Sequence, residues 1–292
     1  MDEGMDFFEE MEPVDDSSGF LVRLFSNRMA RFGGVVILVV LLFAIFAPII
    51  APYEYDAMNL PEMLKAPSAD NIFGTDEFGR DIFSRIIYGS RISLKVGFLA
   101  VGISMLIGTT LGALAGFYGG VIDLIISGIT DIAWSFPVTL LAIAFVAALG
   151  PSLTNLIIAL AIVSWSGFAR LVRGQFLSLR EKEFVEAARS LGMSDSRIIL
   201  KHILPNAFAP IIVLTSLEVP KAIIIEASLS FLGLGAQPPA PSWGSIMSSG
   251  RDYIMEAPWV SFFPGIMIAL IVLGFNLFGD ALRDTLDPRL KD

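Results

Sequence analysis

Gly33 to Ala51 and Trp259 to Phe278 run for nineteen and twenty residues without a charge and are apolar almost throughout. A helix needs about 20 mostly apolar residues to cross the ~30 Å hydrocarbon core of a bilayer. Inside that core every backbone polar group must be satisfied within the segment. Both stretches therefore read as spanning helices. Four more candidates carry one to three charges each: about Ile92 to Phe117, Val121 to Leu149, Leu153 to Val172 and Ala207 to Ser228. The predicted fold class is an all-α polytopic membrane protein with six transmembrane helices. Composition agrees. Of 292 residues, 54% are apolar and 17% charged, with a mean hydropathy of +0.71. Soluble domains carry more charge, and disordered chains are far less apolar.

Whole classes of chemistry are excluded by what is missing. The chain has no cysteine, which removes disulfides, thiolate metal sites and thiol catalysis. His202 is its one histidine, so no multi-histidine metal site can form. No lysine follows a glycine, so there is no phosphate-cradling P-loop. No catalytic residue, metal or cofactor is expected. The net charge of −9 is local: residues 1–16 hold eight acids and no base, and the remainder nets −1. A near-neutral body offers no nucleic-acid footprint. The acidic stretch reads as a solvated, disordered tail. Phe20, Leu21, Leu24 and Phe25, interleaved with Arg23 and Arg28, suggest a short interfacial helix entering the first span.

Orientation follows from lysine and arginine. With both termini cytoplasmic, the inner segments and margins hold thirteen of these bases and the outer ones six. Bases between residues 80 and 95 dissent from that rule. A long acidic lead-in and a long apolar run argue against a cleaved signal. Gly108, Gly112 and Gly116 recur every four residues, a smooth helix face that fits close packing within the subunit.

Between the fourth and fifth candidates the chain turns polar and basic. Phe184, Ala187, Ala188 and Leu191 fall at i, i+3, i+4 and i+7, an apolar stripe on a short helix. Gly192 suits a left-handed C-cap, Ser194 an N-cap, and Ile198 and Ile199 face inward. Pro205 marks the start of the next span. The unit is helix, glycine turn, helix. A helix this short is marginal alone and needs a surface, its own bundle or a partner.

Glu186-Ala187-Ala188, three residues, Gly192, eleven residues, then Leu204-Pro205 resembles the EAA motif of ABC-importer permeases. His202 departs from it, standing where the consensus prefers isoleucine. Phe73-Gly74-Thr75-Asp76, Gly79-Arg80-Asp81, Ser84-Arg85, Gly89, Arg91, Ser93-Leu94 and Val96-Gly97 resemble the C-type permeases of dipeptide, oligopeptide and nickel importers. So do Glu226 to Gly235 followed by Gln237-Pro238-Pro239 and Trp243-Gly244. So does the ending Asn276, Gly279-Asp280, Leu282-Arg283-Asp284 and Leu286-Asp287-Pro288-Arg289. The resemblance covers roughly residues 30 to 292.

This resemblance implies a type I importer permease fold and half of a translocation pore in the cytoplasmic membrane. It implies a paralogous B-type permease as the other half of a heterodimer, two ABC ATPases and an extracytoplasmic substrate-binding protein. The EAA loop would be the coupling helix, with Glu186, Ala187, Ala188, Gly192, Leu204 and Pro205 as its transmitting residues. The bases near 75–95 would belong to a structured elbow. The implied division is residues 1–19 as acidic tail, 20–90 as N-terminal region with first span and elbow, 91–282 as permease domain with coupling helices at about 183–203, and 283–292 as cytoplasmic tail. Peptides are the default cargo; glutathione and nickel chelates are handled by the same family.

Charges inside spans need a partner or a wet cavity, since each costs roughly 2.5–3.5 kcal/mol at mid-membrane. Glu218 and Lys221 can pair at i, i+3; alternatively Glu218, Lys221, Glu226 or Asp131 lines the path and meets a peptide's termini. His202 reads as a structural loop residue. One rival reading, an ion-coupled secondary transporter, expects inverted repeats and broken helices, and no repeat is visible. An intramembrane hydrolase lacks its motifs.

Overall fold

The computed structural model describes residues 20–286; the acidic tail and residues 287–292 lie outside the described residues. Short α1 (Phe20–Ser26) leads into α2 (Arg28–Ile45), whose start is capped by the Asn27 carboxamide accepting from the Met29 N–H at 2.8 Å. One turn, α3 (Ala47–Ile50), follows, with Pro48 in its opening turn. After a loop come α4 (Ile82–Tyr118), α5 (Gly120–Trp134), α6 (Val138–Leu149), α7 (Leu153–Leu179), α8 (Glu183–Ser190) and α9 (Asp195–Ile198). A π-helical turn over Ile199–Ile203 feeds α10 (Leu204–Phe231), and α11 (Trp243–Gly250) and α12 (Trp259–Leu286) complete the order. Among the described residues there is no strand, only an isolated bridge between Thr75 and Asp81.

The all-helical class is as expected, but the six spans are not six simple rods. Five helices are long and apolar enough to cross a membrane; a sixth crossing exists only if α5 and α6 count as one, and they meet at 90°. The uninterrupted span expected from Val121 to Leu149 is therefore corrected. Pro137 supplies no N–H and blocks the preceding turn, and it drives Phe136 out of helical geometry. Other boundaries also move. α4 begins at Ile82 rather than near Ile92, so the elbow region assigned near 75–95 is helix from Ile82 onward. The division at 90/91 thus falls inside α4. α7 continues past Val172 to Leu179 and absorbs Arg170 and Arg173, which counted as loop bases. α12 continues past Phe278 to Leu286, across the 282/283 division.

The dissenting bases of residues 80–95 are mostly tied down. Arg80 Nε meets Asp76 Oδ2 at 2.7 Å, and Arg85 Nη1 donates to the Tyr55 carbonyl at 3.1 Å. Arg91 donates to the carbonyls of Ala44 and Ile45, capping the end of α2. Asp81 caps α4 by accepting from the Ser84 N–H at 2.7 Å. The Trp259 indole N–H reaches the Thr75 carbonyl at 3.1 Å, which pins residues 51–81 to the start of α12. These bases serve architecture.

Packing centres on α4 and α7. The Gly108, Gly112 and Gly116 row lies against the α7 backbone: a Cβ at Gly116 would stand 2.6 Å from Phe176 Cβ and 2.7 Å from the Arg173 carbonyl. The row works inside this subunit, the simple-packing reading. At the end distant from α1, Trp243 is fully buried with Ile82, Ile86, Ile246 and Val260, and its indole N–H donates to the Ile86 carbonyl at 3.1 Å.

Candidate functional site

The helix–turn–helix expected near residue 184 is present, on the same end of the bundle as α1. α8 ends in a complete Schellman motif: the Gly192 N–H donates to the Arg189 carbonyl at 2.9 Å and the Met193 N–H to the Ala188 carbonyl at 3.2 Å. Gly192 takes φ +72°, the left-handed value such a turn requires. Ser194 occupies the N-cap of α9 without a side-chain cap bond.

Of the four members of the expected stripe, only Ala188 is buried against the bundle. Val185 and Ala188 face the bundle and pack with Ile198, Ile203, Phe176, Val172 and Ala207. Phe184, Ala187 and Leu191 are exposed, Leu191 at 76%. Two apolar faces adjoin on this helix. Val185, which periodicity passed over, anchors the inner one, and the spacing of Phe184, Ala187 and Leu191 describes the outer one. Glu186 is exposed, and the Arg189 guanidinium lies 5.4 Å from the Phe117 ring centroid. Leu204 packs half-buried against the same cluster, Pro205 sits exposed in the first turn of α10, and His202 is a partly buried member of the π turn. The result is a rigid surface unit with an unpartnered apolar face, bolted to the ends of α4, α7 and α10.

The charges within the spans sort by environment. Lys221 Nζ and Glu218 Oε1 pair at 2.7 Å, the i, i+3 contact anticipated. Glu226 is completely buried; Ser93 and Ser230 donate to it at 3.0 and 2.7 Å, and it presents no surface to a path. Asp131 Oδ1 accepts from Arg170 Nη2 at 2.7 Å, with both side chains largely exposed. Asp123 accepts two bonds from Arg173 and one from Ser127 at 2.9 Å. Arg170 and Arg173 were invisible as partners in the sequence, because their acids lie 39 and 50 residues away and no local period connects them. Among the described residues, no group of three or more histidines and acids could hold a metal ion.

The family described as "Binding-protein-dependent transport system inner membrane component" matches residues 108–292, and that described as "N-terminal TM domain of oligopeptide transport permease C" matches residues 18–67. The chain is 54% identical to the dipeptide transport system permease protein DppC of Alkalihalophilus pseudofirmus, over 92% of this chain and 88% of that one. It is 46% identical to the glutathione transport system permease protein GsiD of Pectobacterium atrosepticum, over 93% and 91%. It is 44% identical to the oligopeptide transport system permease protein OppC of Bacillus subtilis, over 93% and 89%. In fold it is similar to a chain of the inward-facing MetNI methionine ABC transporter, with a TM-score of 0.58 at 20% identity, over 70% of this chain and 98% of that one.

Proposed function

The chain belongs to the family of binding-protein-dependent transport system inner membrane components, and from that premise we propose that it forms half of the path of a peptide importer. Dipeptides and oligopeptides are the proposed cargo, by the named transport of the relatives at 54% and 44% identity. Glutathione, a tripeptide with one unusual linkage, is the alternative, carried by the relative at 46%. The break between α5 and α6 is a feature that an ion-coupled transporter would also have; the relatives' named function outweighs it.

The partners are a second permease, two ATP-hydrolysing subunits and an extracytoplasmic binding protein, with this chain in the cytoplasmic membrane and both termini inside. ATP is hydrolysed on the partners, and this chain is a transport subunit without enzymatic activity of its own. The observation that carries the coupling reading is the exposed stripe of Phe184, Ala187 and Leu191 beside the buried anchor of Val185 and Ala188. A partner covers the stripe. The anchor transmits its displacement to α4, α7 and α10 as one body, a hinge and shear transition. Glu186 supplies polar contact at the rim, Gly192 holds the turn, and Leu204 and Pro205 start the driven helix. In the path itself, the charged candidates are Asp131 and Lys221, both exposed, and the half-buried Glu218.

Purification of tagged protein in mild detergent, followed by mass spectrometry, tests this. Recovery of a second permease and P-loop ATPases is the expected result. Phe184→Asp with Leu191→Asp is expected to release the ATPases and keep the second permease. Recovery of the chain alone would refute the reading.

A further inference from the structure

We propose that Arg170 and Asp131 form an exchangeable ion pair on the wall of the path: Arg170 receives the terminal carboxylate of a passing peptide, Asp131 its terminal ammonium, and the pair recloses behind it. The proposal rests on the peptide-import reading above and names the substrate groups that this site takes.

Three observations carry it. The first is exposure within the helices of the bundle. The Asp131 side chain is 71% exposed and that of Arg170 47%. Yet Arg170 lies nine residues from the nearer end of α7 and Asp131 three from the broken end of α5, eleven from its start. At 1.5 Å per residue the pair stands about 14–17 Å along the helices from the α8 end of the bundle. Charges within spans face a partner or a wet cavity rather than lipid, and the cores of dry protein interfaces are depleted of them. A wet path accommodates them. The second is shape. A cavity of about 340 Å³ opens between α5 and α7, and Asp131, Arg170, Ser127 and Thr130 are among its lining residues. It lies within a turn of the 90° break between α5 and α6.

The third is the contrast with the neighbouring rung. Arg173 meets Asp123 with two prongs, and Ser127 adds a third bond to that acid. That rung is saturated and less exposed, at 35% and 19%, as a structural tie would be. Arg170 meets Asp131 through Nη2 alone. Its guanidinium is held 4.0 Å from the Trp134 ring centroid, and Trp134 is itself fixed by an indole N–H bond to Ser166 Oγ at 3.0 Å. A stacked guanidinium with unused N–H groups is a preset receptor for a planar carboxylate.

The test uses the complete importer in vesicles, with the binding protein loaded to equal occupancy by radiolabelled trialanine, its C-terminal amide or its N-acetyl derivative. Import of trialanine by the unaltered complex is expected to exceed that of either blocked peptide at least fivefold. Arg170→Gln is expected to slow trialanine to the rate of the amide while changing the amide less than twofold. Asp131→Asn is expected to do the same toward the N-acetyl peptide. If Arg170→Gln does not assemble, Arg170→Lys keeps the charge and loses the planar fork, with the same loss of discrimination expected. A variant that slows free and blocked peptides equally has only lost a tie between helices, and that result overturns the proposal, as does unchanged import of trialanine. Failure of the unaltered complex to import any of the three peptides would refute the peptide-import reading itself, and this proposal with it.

Discussion

Gly192 carries the sharpest single-residue prediction. Its φ is +72° and open space surrounds the position of a Cβ, so a substitution there meets backbone strain and nothing else. A β-branched residue in this conformation costs roughly 1–2 kcal/mol, enough to reopen a turn and too little to unfold a membrane bundle. Gly192→Val is expected to assemble normally and to lose coupled transport, read as uptake per ATP hydrolysed. Gly192→Asn, which tolerates the left-handed region, is expected to keep most of it. Normal uptake by the valine variant would end the coupling role. This turn was legible because a glycine ended an apolar stripe. The identity of the buried face was not legible, since Val185 and Phe184 are equally apolar and only the ends of α7 and α10 decide between them. Glu77 makes a pH prediction. Burial first, and the neighbouring Asp76 carboxylate second, raise its pKa above the ordinary value of 4.5, and one of its carboxylate oxygens is buried without a partner. A raised carboxylate pKa adds stability below the unfolded value and loses it as pH rises through the folded one. Glu77→Gln is therefore expected to melt higher than the parent at pH 7 and no higher at pH 4, in parallel thermal scans.

At the scale of elements, the α4–α7 contact decides whether the bundle holds. A Cβ at Gly112 would collide with the Ala169 backbone and stand 3.0 Å from Val172 Cβ, and backbone cannot yield as a side-chain tip can. Overpacking of this kind costs typically 1–3 kcal/mol. Gly112→Val is expected to lower the yield of folded protein and its melting temperature, whereas Gly128→Ala, at a helical position with nothing within 4 Å, is expected to change neither. Equal behaviour of the two would mean that the glycine row is not a contact surface. The row was readable from its four-residue spacing, because helix periodicity is local. The break at Ser135 to Pro137 had its own signal in Pro137, but apolar residues continue on both sides and hydropathy cannot see a bend. Asp123 with Arg173 and Asp131 with Arg170 were unreadable for a related reason. Each joins two helices, and the sequence fixes the period of one helix without fixing its rotation against another.

For the whole molecule, the open question of physical consequence is which way it faces, and the structure sharpens the charge argument. Arg170 and Arg173 lie within α7, and even with these two set aside the inner segments and margins hold eleven bases against six outside. On the other side, Arg80, Arg85 and Arg91 are engaged by Asp76 and by backbone carbonyls, and Lys65 and Arg251 are paired with Glu62 and Asp252. Insertion keeps inside the side with more Lys and Arg near span ends, so both termini are expected inside with α8 beside them. The natural absence of cysteine permits a direct measurement. Ala66→Cys and Ser196→Cys each place one thiol at an exposed position, one on either face of the bundle. A membrane-impermeant maleimide is expected to label the cysteine at 66 in intact cells stripped of any outer barrier, and the one at 196 only after permeabilisation. Labelling in the opposite order would put Phe184, Ala187 and Leu191 on the side where no ATP-hydrolysing subunit works. That outcome would remove the coupling role of α8 together with the orientation, because the exposed stripe would then have no partner able to drive it.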